Sequence, residues 1–392
     1  MRGATPEYER GLHINKAAEG TRIRGIGFAH YAGEGLKLEG PNVTLENNTF
    51  SWNAISGVRI RGGYGGTNAT VKGNSFVRNG MLGLRGGQTT GSVFDGNQFT
   101  GNNSFERFAA TWSASGIKLT DSENVEIYDN VLEGNWGHAI WMDGGVVHPT
   151  IVRNTVRGVG SNAGIHLEIS PGGPRGAIIA SNVISGAGAG IQISNSNDAR
   201  IWNNTLVGND TNLIVNKGDR RGGGEEGTRV LPVTNTIAKN NLFSDPTGGT
   251  TLKASKFDAC TDQTPLFDTL NFNVYHRSNA GDPATLIHWA PVAGTAGCTR
   301  SFARLTQAGG FQDVIGREPN GLALDNVARG ALFVNASAGN YRLVSGSPAA
   351  RGGDALPADI AAAVRLGLSS ADAASIDVGA NTSRGALHLH LR

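Results

Sequence analysis

Apolar residues along this chain recur in short alternating runs rather than in helical stripes. "GLHIN" at 11, "GLKLE" at 35, "GVRIR" at 57, "GIKLT" at 116, "GIHLE" at 164 and "GIQIS" at 190 share a glycine followed by apolar-x-apolar. "GLRGG" at 83 is a degraded copy, and "AIWMD" at 139 has alanine in the glycine's place. Period-two alternation with β-branched and leucine residues predicts a β-strand in each copy. A second column runs in phase with the first, an asparagine followed two places later by an apolar residue. It falls at Asn48, Asn74, Asn97, Asn130, Asn154, Asn182, Asn204 and Asn241. The steps are 26, 23, 33, 24, 28, 22 and 37 residues, so all but two lie between 22 and 28. A third alternating stretch precedes the asparagines, as in "NVTLENN", "NVEIYDN", "PTIVRN" and "ARIWNN".

Three short strands per coil of roughly 24 residues predict an all-β fold, a right-handed single-stranded parallel β-helix with an irregular C-terminal extension. A coil cannot bury its apolar positions alone and must stack on its neighbours. The asparagines suit coil corners, where Asn tolerates the left-handed conformation and its amide bonds the copies above and below. A leucine-rich repeat would need helices between strands, and no segment here reads as one. The pattern fades near residue 245, which divides the chain into coils over 1–245 and, over 246–392, last coils and a strap along the solenoid. A helix is expected over 356–368, with Pro357 in its first turn.

In each apolar-x-apolar strand the x residue points away from the core, and in-register stacking aligns equivalent positions about 4.8 Å apart. One outward column therefore reads His13, Lys37, Arg59, Arg85, Lys118, Trp141, His166, Gln192. The next reads Asn15, Glu39, Arg61, Gly87, Thr120, Asp143, Glu168, Ser194. A solvated face with compensating charges would explain Glu39 beside Arg61. It explains poorly the like charges of Lys37, Arg59, Arg85 and Lys118 in successive coils, since like charges side by side destabilise a sheet. The face is expected to be a ligand groove, with Lys37, Arg59, Arg61, Arg85, Lys118, Trp141 and Gln192 contacting substrate. The long step before Lys118 carries "TGNNSFERFAATWSAS", whose Trp112 would stand in a wall beside the groove. "NKGDRRGGGEEGTRV" at 216 reads either as a flap or as a tolerated insertion.

Charge narrows the partners. With 17% charged residues and a net charge of +2, nothing suggests a nucleic-acid binder or a membrane-surface protein. No run of about 18 apolar residues is present to span a membrane. "MRGATPEYERG" has no apolar h-region, so the chain is expected to be a secreted protein after removal of its signal peptide, acting as a monomer. Cys260 and Cys298 can form one disulfide, as an oxidising compartment allows, or remain two buried thiols; both stay open.

Asp143 and Glu168 fall at the same position of consecutive coils, so their carboxyl groups should lie about one strand spacing apart. Such a pair does not ionise independently, and a glycosidase needs one acid protonated and the other ionised. A separation near 5 Å belongs to retaining enzymes. Asp143, shorter and more rigid, suits the nucleophile, and Glu168, beside His166 and Trp141, suits the acid/base; the reverse assignment stays open. A calcium site normally takes more oxygen ligands than this pair offers, so no cofactor or metal is expected.

The laddered coils and the tail "NYRLVSGSPAARGG" resemble secreted right-handed parallel β-helix proteins that act on carbohydrates. "IWMD" and "HLEIS", one coil apart, are similar to the acid motifs of β-helix retaining glycosidases such as β-xylosidases. That resemblance implies Asp143 as nucleophile, Glu168 as acid/base and an oligo- or polysaccharide substrate. The same superfamily includes polysaccharide lyases and uronate epimerases, for which Lys118, Arg85 and His166 could neutralise a carboxylate and move the C5 proton. The Tyr-His-Asp signature of alginate epimerases is not found. A third reading is a non-catalytic glycan binder or adhesin, in which Trp141 would still stack on a sugar.

Overall fold

The chain folds as a right-handed parallel β-helix in a computed structural model, which describes residues 9–62, 68–110, 113–219 and 232–387. Contacts gather into two compact units, 1–172 and 173–392. Residue 245, where the asparagine pattern fades, lies inside the second.

In the first unit each coil supplies three strands. One coil is Ser56–Arg61, Thr70–Lys72 and Ser75–Val77, and the next is Leu82–Gly87, Val93–Asp95 and Gln98–Thr100. Every pairing between these coils is parallel and in register, with Arg59 opposite Arg85 and Phe76 opposite Phe99. The apolar positions of each strand are fully buried, as at Val58, Ile60, Leu84, Ile117 and Leu119. Aromatic residues stack along the bore, Phe50, Phe76 and Phe99 each two places after a ladder asparagine and Phe28 at the equivalent place one coil earlier. Phe28, Phe50, Phe76 and Phe99 have ring centroids 5.1, 5.2 and 4.5 Å apart.

Asparagine amides form the predicted ladder. Asn48 donates to Asn74 at 3.0 Å, Asn74 to Asn97 at 3.1 Å, Asn97 to Asn130 at 2.9 Å and Asn130 to Asn154 at 2.9 Å. The left-handed residue, however, is not the ladder asparagine but the one before it: Asn47, Gly73, Gly96, Asp129 and Arg153, at φ 54 to 63°. The corner turns there, which frees the asparagine to aim its amide along the stack. A second ladder, five residues further on, joins Asn53, Asn79, Asn102 and Asn135.

The second unit repeats the plan with Asn182, Asn204, Asn241 and Asn273. Its ladder ends on the buried Glu318, whose Oε1 accepts from Asn273 Nδ2 at 2.7 Å. Coils run past residue 245 through Leu252–Lys256, Phe267–Asn271 and Val274–Arg277, and the first antiparallel pair is Ile287–Trp289 with Arg300–Phe302. Cys260 and Cys298 form a disulfide in this region. The C-terminal segment contacts successive corners: Asp354 bonds Lys239, Ser383 O accepts from Asn203, and Ala386 N–H and Leu387 N–H donate to Thr205 and Ser181. Its helix is shorter than expected, Ala358–Ala363 rather than 356–368. Asp359, at its start, is held by Arg200.

Candidate active site

The strands Ser115–Thr120, His138–Asp143 and Thr155–Glu168 lie side by side in register. Lys118 stands opposite Trp141 and Trp141 opposite His166; Thr120 stands opposite Asp143 and Asp143 opposite Glu168. This is the arrangement the repeat spacing predicts for the two acids.

Each acid has its own partner. Lys118 Nζ lies 2.9 Å from Asp143 Oδ2 and also 3.4 Å from the centre of the Trp141 ring. Trp141 Nε1–H donates to Glu168 Oε2 at 3.0 Å, and His166 Nδ1 lies 3.9 Å from the same oxygen. The charge-assisted contact and the cation–π contact together fix the ammonium. The indole fixes the orientation of Glu168.

Sequence reasoning placed Lys118, Trp141 and His166 on a solvent-facing column, but they are buried, exposed 8%, 3% and 5%. Flat side chains at one-strand spacing cover each other. Asp143 and Glu168 remain partly exposed.

His138, which the sequence reading overlooked, completes the cluster. It packs edge-on against Trp141, with centroids 4.6 Å apart, and lies 4.5 Å from His166. Ala163 N–H donates to its Nδ1 at 3.1 Å, and its Nε2 is 3.3 Å from His166 Nδ1. A backbone N–H can only donate, so Nδ1 of His138 is the acceptor and its proton sits on Nε2. That proton points at His166 Nδ1, which assigns the neutral His166 proton to its own Nε2. Burial, with the Lys118 charge adding to it, pushes the His138 pKa down to about 3.

The basic row is more compensated than its sequence suggests. Glu34, also overlooked and buried, reaches Arg59 at 3.2 Å and Arg10 at 3.7 Å. Lys37 pairs with Glu39 at 2.6 Å and His13 bonds the same carboxylate, whose pKa falls to about 2, chiefly through Lys37. Arg85 differs: it is exposed and has no ion-pair partner among the described residues. Its pKa is lowered, first by the partial desolvation of its packed side and then by Arg59. Beside it Gly87 presents no side chain between Arg61 and Thr120, leaving an open shelf. A cleft of about 520 Å³ lined by Asn15, Lys16, Ala17, Glu39 and Arg61 lies at the other end of this face.

Glu34 and His138 share one position, the residue just before the column glycine or its alanine substitute, and Glu34, Ser56, Leu82, Ser115 and His138 are successive register partners. Extending the column by one residue would have found both. Gln192 belongs to the second unit, where its Nε2 donates to Ser194 Oγ at 2.9 Å. Trp112 and most of the 216–230 insertion lie outside the described residues. Among the described residues no group of three or more His, Cys, Asp or Glu is placed to hold a metal ion, and no helix is long and apolar enough to cross a membrane.

Residues 34–211 match the sequence model of the family described as right handed beta helix region. No curated protein matches the chain in sequence. Among solved structures the chain is similar to the periplasmic alginate epimerase AlgG, at 14% identity over 61% of this chain and 54% of that one, with a TM-score of 0.32. A mutant of the same epimerase gives 13% identity over 67% and 68%, with a TM-score of 0.33. The chain thus spans about half the length of the first of these structures.

Proposed function

We propose that this parallel β-helix is a carbohydrate-active enzyme, a glycoside hydrolase of the retaining type with Asp143 as nucleophile and Glu168 as acid/base. The observation that carries the reading is the in-register pair itself, with each carboxylate held by a separate donor. Backbones one strand spacing apart suit a separation near 5 Å, the retaining geometry. Asp143, against the Lys118 ammonium, attacks the anomeric carbon as the glycosidic C–O bond breaks. Glu168 gives its proton to the departing oxygen. The indole N–H fixes Oε2 as an acceptor, so the transferable proton of Glu168 sits on Oε1. In the second half Glu168 takes a proton from water, the water oxygen attacks the anomeric carbon, and Asp143 leaves as carboxylate. Trp141 and Lys118 keep both acids in place, and Arg59, Arg61, Arg85 and Lys37 line the path of the chain.

One observation favours a second reading, elimination or epimerisation of a uronate. Arg85, exposed and without an ion-pair partner among the described residues, suits a substrate carboxylate. That chemistry also needs a base at C5. The tautomer set by His138 puts a proton, not a lone pair, on His166 Nε2, and Lys118 is engaged by Asp143. Hydrolysis is therefore preferred, on a glycan bearing acidic groups. The Cys260–Cys298 disulfide supports an extracellular or periplasmic location.

The test is product analysis on acidic and neutral polysaccharides. Hydrolysis yields saturated new reducing ends; a double bond absorbing in the ultraviolet, or inversion at C5 without cleavage, would replace this reading with the second.

A further inference from the structure

The corner before each face strand carries a left-handed residue at φ 51 to 64°: His30, Trp52, Arg78, Gly101 and Gly134 in successive coils. Their N–H groups bond the next coil in turn, Trp52 to Val77 O, Arg78 to Thr100 O and Gly101 to Glu133 O, so the residues are stacked in register. Glycine takes this conformation without cost, and two coils use it. A bulky indole in the same conformation is strained, and such strain gathers where a side chain's position serves a purpose.

Here the indole is displayed rather than packed away. Trp52 is 40% exposed and Phe105 66% exposed, and their ring centroids lie 6.1 Å apart. The Arg78 guanidinium sits 5.2 Å from the centre of the Trp52 ring. Phe105 belongs to the insertion whose base is tied down by Asn103. The side chain of Asn103 donates to Phe108 O and Trp136 O and accepts from Phe108 N–H. Arg78 has no carboxylate partner among the described residues. Trp52, Arg78 and Phe105 lie in the segments that lead into the strands carrying Arg59, Arg85 and Lys118, which places the patch at the edge of the same face.

We propose that Trp52, Phe105 and Arg78 form a subsite for a uronic acid residue of the glycan, remote from the cleavage point. The apolar face of a pyranose packs on the indole and Phe105 bounds it. The Arg78 guanidinium, which has no acidic partner among the described residues, pairs with the sugar carboxylate. The substrate class rests on the glycan reading above; the subsite does not depend on which bond is cleaved.

The test is calorimetric binding of four hexasaccharides, from polygalacturonate, polymannuronate, xylan and cellulose, and of the matching disaccharides. The unmutated protein and Glu168→Gln are each titrated with and without Trp52→Gly or Arg78→Met. Trp52→Gly relieves the left-handed strain, so its melting temperature should equal or exceed that of the parent. The expected result is that it binds an acidic hexasaccharide about tenfold more weakly while disaccharide binding is unchanged. Arg78→Met should weaken acidic hexasaccharides only. Undiminished hexasaccharide affinity in Trp52→Gly, or tighter binding of the neutral hexasaccharides than of the acidic ones, overturns the subsite alone. Trp52-dependent binding without any turnover overturns the hydrolase and keeps the subsite. Binding of none of the four overturns both.

Discussion

His138 Nε2 lies 3.3 Å from His166 Nδ1, and Ala163 N–H closes on the other nitrogen of His138 at 3.1 Å. Burial of this pair of imidazoles, with the Lys118 charge adding to it, makes protonation of His138 costly. Its pKa falls from 6.5 to about 3 on folding. The unfolded chain therefore binds the extra proton between those values, so the stabilisation is present above pH 6.5 and is lost as the pH falls toward 3. Acid unfolding curves should carry a slope of up to about 1.4 kcal/mol per pH unit from this group. His138→Gln should flatten that slope, and an unchanged slope would refute the buried neutral imidazole.

Glu318 acts in the opposite direction. Burial pushes its pKa up to about 7 despite donors from Asn273 and Tyr275. A folded pKa above the unfolded 4.5 gives stability that is complete below pH 4.5 and is lost as the pH rises through 7. Thermal melts between pH 5 and 8.5 should show this decline, and Glu318→Gln should remove it. At pH 5, where the folded carboxyl is protonated and neutral, the nearly isosteric glutamine should change stability by less than about 1 kcal/mol.

Asn130 sits in the middle of its ladder. Its Oδ1 accepts from the backbone and side chain of Asn97, and its Nδ2 donates to Asn154, Phe94 O and Tyr128 O. Asn130→Ala leaves several buried groups unpaired at about 1–3 kcal/mol each, so a loss of roughly 3 kcal/mol or more is expected from urea unfolding. Loss below 1 kcal/mol would mean that water replaces the amide.

Cys260 and Cys298 close a loop with a sequence separation of 38. Replacing both with serine should lower stability by about 2–4 kcal/mol, measured by denaturant unfolding against the oxidised parent. Reduction of the parent should reproduce the effect.

Asp143→Asn and Glu168→Gln should each lower kcat by about 10³-fold or more, since the two acids act as a unit. The double variant should be hardly worse than either single one. Circular dichroism should stay close to the parent for both, and only Asp143→Asn should lower the melting temperature, because the buried Lys118 ammonium then loses the Asp143 charge. Near-parental release of reducing ends by either variant would remove the hydrolase reading.

The solenoid, its strand phase and the register of Asp143 with Glu168 were legible in the chain, because a coil of fixed length turns sequence spacing into stacking. Residues 25 apart become neighbours wherever no insertion intervenes. The ladder was legible for the same reason, although the strained corner fell one residue earlier than expected, at Asp129 rather than Asn130. His138 and Glu34 were within reach of the same repeat logic, one place before the column glycine.

What the repeat could not supply was the third dimension of the side chains. Periodicity marks Lys118, Trp141 and His166 as outward, yet large flat groups at one-strand spacing bury each other, so outward did not mean exposed. A row of cations reads as repulsive in the sequence, yet Glu34 pairs with Arg59, and Glu39, expected beside Arg61, pairs with Lys37. Which nitrogen of His166 holds its proton depends on Ala163 and His138, and the display of Trp52 depends on its backbone angle and Phe105. Spacing determines which residues stack. Rotamers, tautomers and mutual burial are decided only when all the neighbours are in place.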